Sequence, residues 1–225
     1  MCDKEIVLII GGGNTNMKFD GIIFDLDGTL WDSTKIELKA INDVINNEYN
    51  IYTITIEQLK NVMGYTMPEA AKILFKNVDN NIGIQILKKS GIMMDQYLKE
   101  CKSNLLYDNL KETISNLSKN YKLFIVSNCK EGYIETFMHS QNLTEIFQDY
   151  ESNGRTKLSK GENIKLIIER NKLKNAIYVG DTIKDKQAAD YANIPFIYAS
   201  YGFGKVEQYD YKINKFKEII NIVNN

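Results

Sequence analysis

The chain has 225 residues, 44% of them apolar and 25% charged, the balance of a soluble globular protein: one large domain, or a core carrying a smaller insert. Lys plus Arg number 28 against 29 Asp plus Glu, so the net charge of −1 provides no basic field, and neither nucleic acid nor a membrane surface is expected as a partner. Cys2, Cys101 and Cys129 form neither a disulfide framework nor a CxxC metal pair, which fits a reducing cytoplasm, and the single histidine, His139, argues against a histidine-ligated zinc site or a Ser-His-Asp triad.

In chain order, the apolar segment EIVLII at 5–10 is too short to span a bilayer. It runs into GGGNTN, which imitates a phosphate loop but lacks the GxGxxG and GK[ST] spacings and a following helix. Residues 1–16 are therefore read as a flexible leader, with Met17 a natural start for the folded unit. FDGIIF at 19–24 reads as a short strand buried on both faces, ending at Asp25. From Ser33 the apolar spacing turns helical, with Ser33 or Thr34 as the cap. Helices over 55–63, 68–75 and 81–102 follow, and between 35 and 107 only NIYTI at 50–54 has strand character, so this stretch is expected to be an all-helical insert.

Helix and strand then alternate: helix 110–120, strand 122–127, helix 131–141, strand 149–152, helix 161–171, strand 176–180, helix 184–192, strand 195–200 and helix 214–223. Helical crossovers between strands imply an α/β fold with a parallel sheet covered on both faces. Ligands of such sheets bind beyond the carboxyl ends of the strands. The polar residues standing there are Asp25 and Asp27 after the first strand, Ser127 and Asn128 after the second, and Asp181 after AIYVG.

Burying an unpaired carboxylate costs several kcal/mol at the least, so the two acids of IIFDLDGTLWD require a partner. Alternation along the strand starts Asp25 and Asp27 on one side, and a turn at Gly28 can swing one of them to another angle on the same ligand. One acid can then attack a phosphate monoester while the other handles the leaving group's proton. A phosphate dianion near a carboxylate meets about 4 kcal/mol of repulsion per charge pair at about 4 Å and an effective dielectric of about 20, so cations are needed. Mg²⁺ suits an oxygen-only donor set, with Asp25 and Asp181 supplying carboxylates. Lys160, opening an amphipathic helix, would complete the charge balance, and Ser127 and Asn128 can donate to phosphate oxygens. Each of these residues alone also fits a turn, a cap or a solvated helix face.

DLDGTL at 25–30, IVSN at 125–128, Lys160 and GDTIKD at 180–185 together resemble the haloacid dehalogenase superfamily, in the phosphoglycolate phosphatase and β-phosphoglucomutase-like subgroup. The resemblance implies a Rossmann-like core of residues 17–34 and 108–225 with a helical cap at 35–107. It also implies that Asp25 is the nucleophile, that Asp27 is general acid and base and binds Mg²⁺ through its backbone carbonyl, and that Asp181 ligates the metal. Ser127 would hold the phosphoryl group, and Lys160, preferred to Lys157, would balance charge, with Asp185 orienting a water or Lys160. Because Asp27 is present, transfer of a phosphoryl group from an oxygen leaving group is favoured. The expected enzyme is a cytoplasmic, Mg²⁺-dependent phosphatase of small phosphorylated metabolites, a monomer or weak homodimer; a sugar phosphomutase and a non-catalytic phosphate-binding regulator are the alternatives. In the insert, Lys60, Tyr65 and Lys72 are positions that a substrate could meet.

Overall fold

A computed structural model describes residues 18–101 and 103–224. The leader, its glycine run and Cys2 lie outside the described residues. Among the described residues the first element is strand β1 (Gly21–Phe24), and four helices follow, α1 (Thr34–Glu48), α2 (Ile56–Lys60), α3 (Met67–Leu74) and α4 (Asn80–Glu100). The chain then alternates through α5 (Leu110–Leu117), β2 (Lys122–Ser127), α6 (Tyr133–Ser140), β3 (Asp149–Ser152), α7 (Asn153–Thr156), α8 (Lys160–Arg170), β4 (Ala176–Gly180), α9 (Ile183–Ala192), β5 (Phe196–Ala199), β6 (Tyr211–Ile213) and α10 (Ile219–Val223).

The strands form one parallel sheet in the order β3-β2-β1-β4-β5-β6, the α/β architecture expected from the alternation. Phe24 pairs with both Ile125 of β2 and Val179 of β4, so the three central strands end within two residues of one another and release their chains on one edge. Side-chain alternation gives the sheet two dry faces. Ile22 and Phe24 pack with Ile114, Phe137 and Ile219 on one side. Ile23 packs with Ile164, Ile167 and Ala189 on the other. A third apolar cluster, including Ile41, Leu59, Leu74 and Ile86, lies within α1–α4, so the insert has its own core beyond the sheet edge.

NIYTI forms no strand. The side chain of Asn42 instead takes both backbone groups of Ile54, accepting from its N–H and donating to its carbonyl at 2.9 Å each, and so satisfies locally what a neighbouring strand would have paired. The sheet gains an edge strand that the pattern did not announce, β6, because Tyr211–Ile213 is too short to show alternation. The helix expected over 214–223 begins later: a 3₁₀ turn at Phe216–Glu218 precedes α10, and the Asn214 N–H donates to Glu218 at 2.7 Å. Among the described residues no helix is long and apolar enough to cross a membrane.

Candidate active site

Asp25 leaves β1 with its N–H bonded to the Val179 carbonyl at 2.8 Å, which fixes the backbone beneath a carboxylate only 2% exposed. Lys160, the first residue of α8, reaches it: Nζ lies 2.9 Å from Asp25 Oδ1 and 2.6 Å from Asp185 Oδ1. Ser159 caps α8 in a reciprocal box with Glu162, which sets where that helix starts and hence where Lys160 points. Lys157 goes elsewhere; it is exposed, in the left-handed region at φ 64°, and bonds the Gly154 carbonyl. Asp185 is saturated, since Thr182 donates to its Oδ2 from N–H and hydroxyl while Tyr178 joins Lys160 on Oδ1. It therefore holds Lys160 in place.

After Asp25 the chain reverses at Gly28, φ 84°, with the Gly28 N–H bonded to the Trp31 carbonyl at 2.9 Å. This tight turn sends the Asp27 side chain away from Asp25. Its Oδ1 accepts three bonds, from Trp31 Nε1 at 2.8 Å, Tyr133 OH at 2.9 Å and Ser33 Oγ at 3.1 Å. Ser33 is the N-cap residue of α1 but makes no capping bond, because its hydroxyl is turned to Asp27 instead. Burial raises Asp27 above the usual carboxylate range, against the pull of those donors. Trp31, Ser33 and Tyr133 are site residues that the motif reading did not single out.

Asp181 follows β4. Phe203 N–H donates to its Oδ2 at 2.7 Å, and Thr29 Oγ1 lies 3.4 Å from Oδ1. Asp25, Asp181 and Asp185 bring one oxygen each within 4.8 Å of one another. Burial, and then Asp185, push Asp25 up to about 7; burial, Asp185 and Asp25 raise Asp181 well above the ordinary range. A buried, mutually repelling, oxygen-only donor set fits a hard divalent cation. With Asp185 saturated, Asp25 and Asp181 are the carboxylates able to hold it. Asp27, turned toward Trp31 and Tyr133, contributes no side chain to this trio.

Ser127, 4% exposed, ends β2 beside the acids. Asn128 sends Nδ2 to the Gly64 carbonyl of the insert at 2.8 Å, while its buried Oδ1 has no partner. Asp25, Asp27, Ser127 and Asn128 form the floor of a cavity of about 140 Å³, roofed by Leu59, Met63, Met67 and Leu74 of the insert. Tyr65 lines it, with the Lys184 ammonium 4.5 Å from its ring. Lys60 and Lys72 are exposed and outside the lining, as is His139. Glu37, one turn into α1, faces the cavity and carried no motif signal.

A family model described as haloacid dehalogenase-like hydrolase matches residues 22–199. The chain belongs to that family. As a haloacid dehalogenase-like hydrolase it is 26% identical over 191 residues to a phosphoglycolate phosphatase of Pseudomonas syringae pv. tomato, covering 81% of this chain and 70% of the relative. A phosphoglycolate phosphatase of Rhodobacter capsulatus is 24% identical over 189 residues, with 82% and 85% coverage. The haloacid dehalogenase-like fold is shared with a predicted phosphoglycolate phosphatase from Haemophilus somnus 129pt, at TM-score 0.81 and 20% identity over 91% of this chain and 98% of that one. It is shared too with a haloacid dehalogenase-like family protein from Streptococcus pneumoniae, at TM-score 0.79 and 22% identity over 91% and 98%.

Proposed function

We propose that this hydrolase is a Mg²⁺-dependent phosphatase of small phosphomonoesters that carries the phosphoryl group transiently on Asp25. The observation that carries the reading is the Asp25 carboxylate, pinned by the Lys160 ammonium at 2.9 Å on the floor of a cavity between sheet and insert. The phosphatase names of the relatives support it, and a volume of about 140 Å³ has room for about five water molecules at about 30 Å³ each, or a molecule of roughly benzene's size.

Asp25 attacks phosphorus as the bond to the leaving oxygen breaks, and Asp27, whose hold on a proton burial strengthens, gives that oxygen its proton. Asp27, now a base, takes a proton from water, which displaces phosphate from Asp25 and restores both acids. Lys160 offsets charge on Asp25 throughout, and the Ser127 hydroxyl orients the phosphoryl oxygens. A divalent cation held by Asp25 and Asp181 would neutralise phosphate charge. The insert excludes water from the cavity beneath it.

Phosphate release from p-nitrophenyl phosphate and a panel of phosphorylated metabolites, with Mg²⁺ or EDTA, tests this. Turnover is expected with Mg²⁺ alone, and Asp25→Asn is expected to lower kcat by about a thousandfold or more. An Asp25→Asn protein that still turns over would refute the nucleophile.

A further inference from the structure

The side chains lining the cavity are unevenly matched in charge. Its basic residue, Lys130, is already paired with Asp95 at 2.5 Å. The Tyr133 hydroxyl is committed to Asp27, and Ser90 donates to the Leu87 carbonyl at 3.0 Å. The Ser127 and Tyr65 hydroxyls remain as neutral donors, but among the described lining residues no unpaired cation does, while a carboxyl and an amide oxygen are left over. The Glu37 carboxyl lines the cavity with no ion pair to any described lysine or arginine, and Asn128, whose amide nitrogen is taken by Gly64, keeps a buried Oδ1 unpartnered. Around them the wall is apolar and soft, with Met63, Met67, Met94, Val62 and Leu87.

An occupant of such a space gains by bringing donors and positive charge, and loses by bringing a second anion. A substrate carboxylate would sit against Glu37 with no unpaired cation in the lining, at the cost of a buried unpaired charge. An ammonium carries three donors, matches Glu37 in charge and can reach the open acceptors. Burial, with Asp27 nearby, pushes Glu37 up to about 8, as for a carboxyl whose counter-charge must come from outside the protein.

We propose that the cavity is built for a phosphate ester whose leaving alcohol carries an ammonium group, with Glu37 as its counter-charge, and that it discriminates against carboxylate-bearing esters such as 2-phosphoglycolate. This rests on the phosphatase reading and narrows its substrate class. It separates this chain from the compound in its relatives' names: a leaving alcohol that bears a carboxylate calls for an unpaired cation, and none stands among the lining residues.

The test compares kcat/KM for 2-aminoethyl and 3-aminopropyl phosphate with that for propyl and butyl phosphate, their uncharged isosteres, and for 2-phosphoglycolate, all with Mg²⁺. The better amino ester is expected to exceed its isostere and 2-phosphoglycolate by about tenfold or more, the worth of one charge-assisted hydrogen bond. Glu37→Gln should collapse the ratio of amino ester to isostere, and Glu37→Lys should invert the order in favour of 2-phosphoglycolate. Equal rates on amino esters and isosteres, a wild-type preference for 2-phosphoglycolate, or a ratio unmoved by Glu37→Gln would each overturn the proposal; should a variant fail to fold, the wild-type ratio decides alone. Hydrolysis of none of these esters, nor of p-nitrophenyl phosphate, would refute the phosphatase reading itself and this proposal with it.

Discussion

Asp27 has one carboxylate oxygen fixed by three donors and the other free of them. This division suits a proton carrier: the clamped oxygen sets the angle, and the other can hold the proton for the leaving group. The Tyr133 hydroxyl is the donor that comes from farthest along the chain, and it is buried among Trp31 and Phe137, so its ring position is set by core packing. Tyr133→Phe keeps the ring and removes the bond. If Tyr133 positions the acid, this change should lower kcat on alkyl phosphates about tenfold while leaving p-nitrophenyl phosphate much less affected, because that leaving group needs little protonation. Equal losses on both ester types would assign Tyr133 to packing alone.

At the scale of elements, the site depends on close approach of loops, and glycine is required where they meet. Gly28 has φ +84°, and a Cβ there would stand 2.3 Å from Asp181 Oδ2. Gly132 has nearly the same backbone, φ +82°, but open space around it. Gly28→Ala and Gly132→Ala should therefore share the cost of strain, about 1–3 kcal/mol each, while only Gly28→Ala displaces Asp181 and abolishes the response to Mg²⁺. Thermal melts and Mg²⁺ titrations of activity separate the two effects; matching losses of Mg²⁺ response would refute the crowding account. The same loops explain what could be read from sequence. Asp25, Asp27 and Asp181 follow strands at fixed short offsets, so strand ends locate them, and the capping pairs Ser159–Glu162 and Thr182–Asp185 make the starts of α8 and α9, and with them Lys160 and Asp185, recognisable. Tyr133 and Glu37 have no such local marker. Each is one polar residue on an amphipathic helix, and only the docking of α6 and α1 turns it toward the cavity. Trp31 is a fully buried core residue, yet its indole N–H also serves Asp27.

For the molecule as a whole, the sheet edge gathers more negative than positive charge. Asp25, Asp27, Asp181 and Asp185 face Lys160, and Glu37 lies across the cavity. Sheet and insert are joined by apolar packing, with Met94 and Leu98 of α4 in the same buried cluster as Phe24 and Phe137, and by polar contacts: Lys130 pairs with Asp95 at 2.5 Å, Asn128 donates to Gly64, and the partly exposed Lys184–Glu69 pair at 3.3 Å adds little. The insert also has an apolar core of its own, which keeps it folded as a unit. The charge imbalance sets how stability responds to pH. Carboxyls that titrate near 4 in the unfolded chain are raised in the folded one, to about 7 for Asp25 and about 8 for Glu37. Between those limits the native state binds more protons than the unfolded state, so the stability these groups contribute is complete below about pH 4 and lost as pH climbs through 7 and 8. Metal-free protein should accordingly melt lower at about pH 8.5 than at about pH 5, by at least about 3 °C for a chain of this size. Mg²⁺ should restore more at the higher pH, where protons no longer compete for Asp25 and Asp181. Glu37→Gln should flatten the slope in EDTA without removing the Mg²⁺ effect, because Glu37 lies outside the carboxylate trio. Melting curves in EDTA that rise with pH across this window would show that these carboxyls are already compensated within the fold.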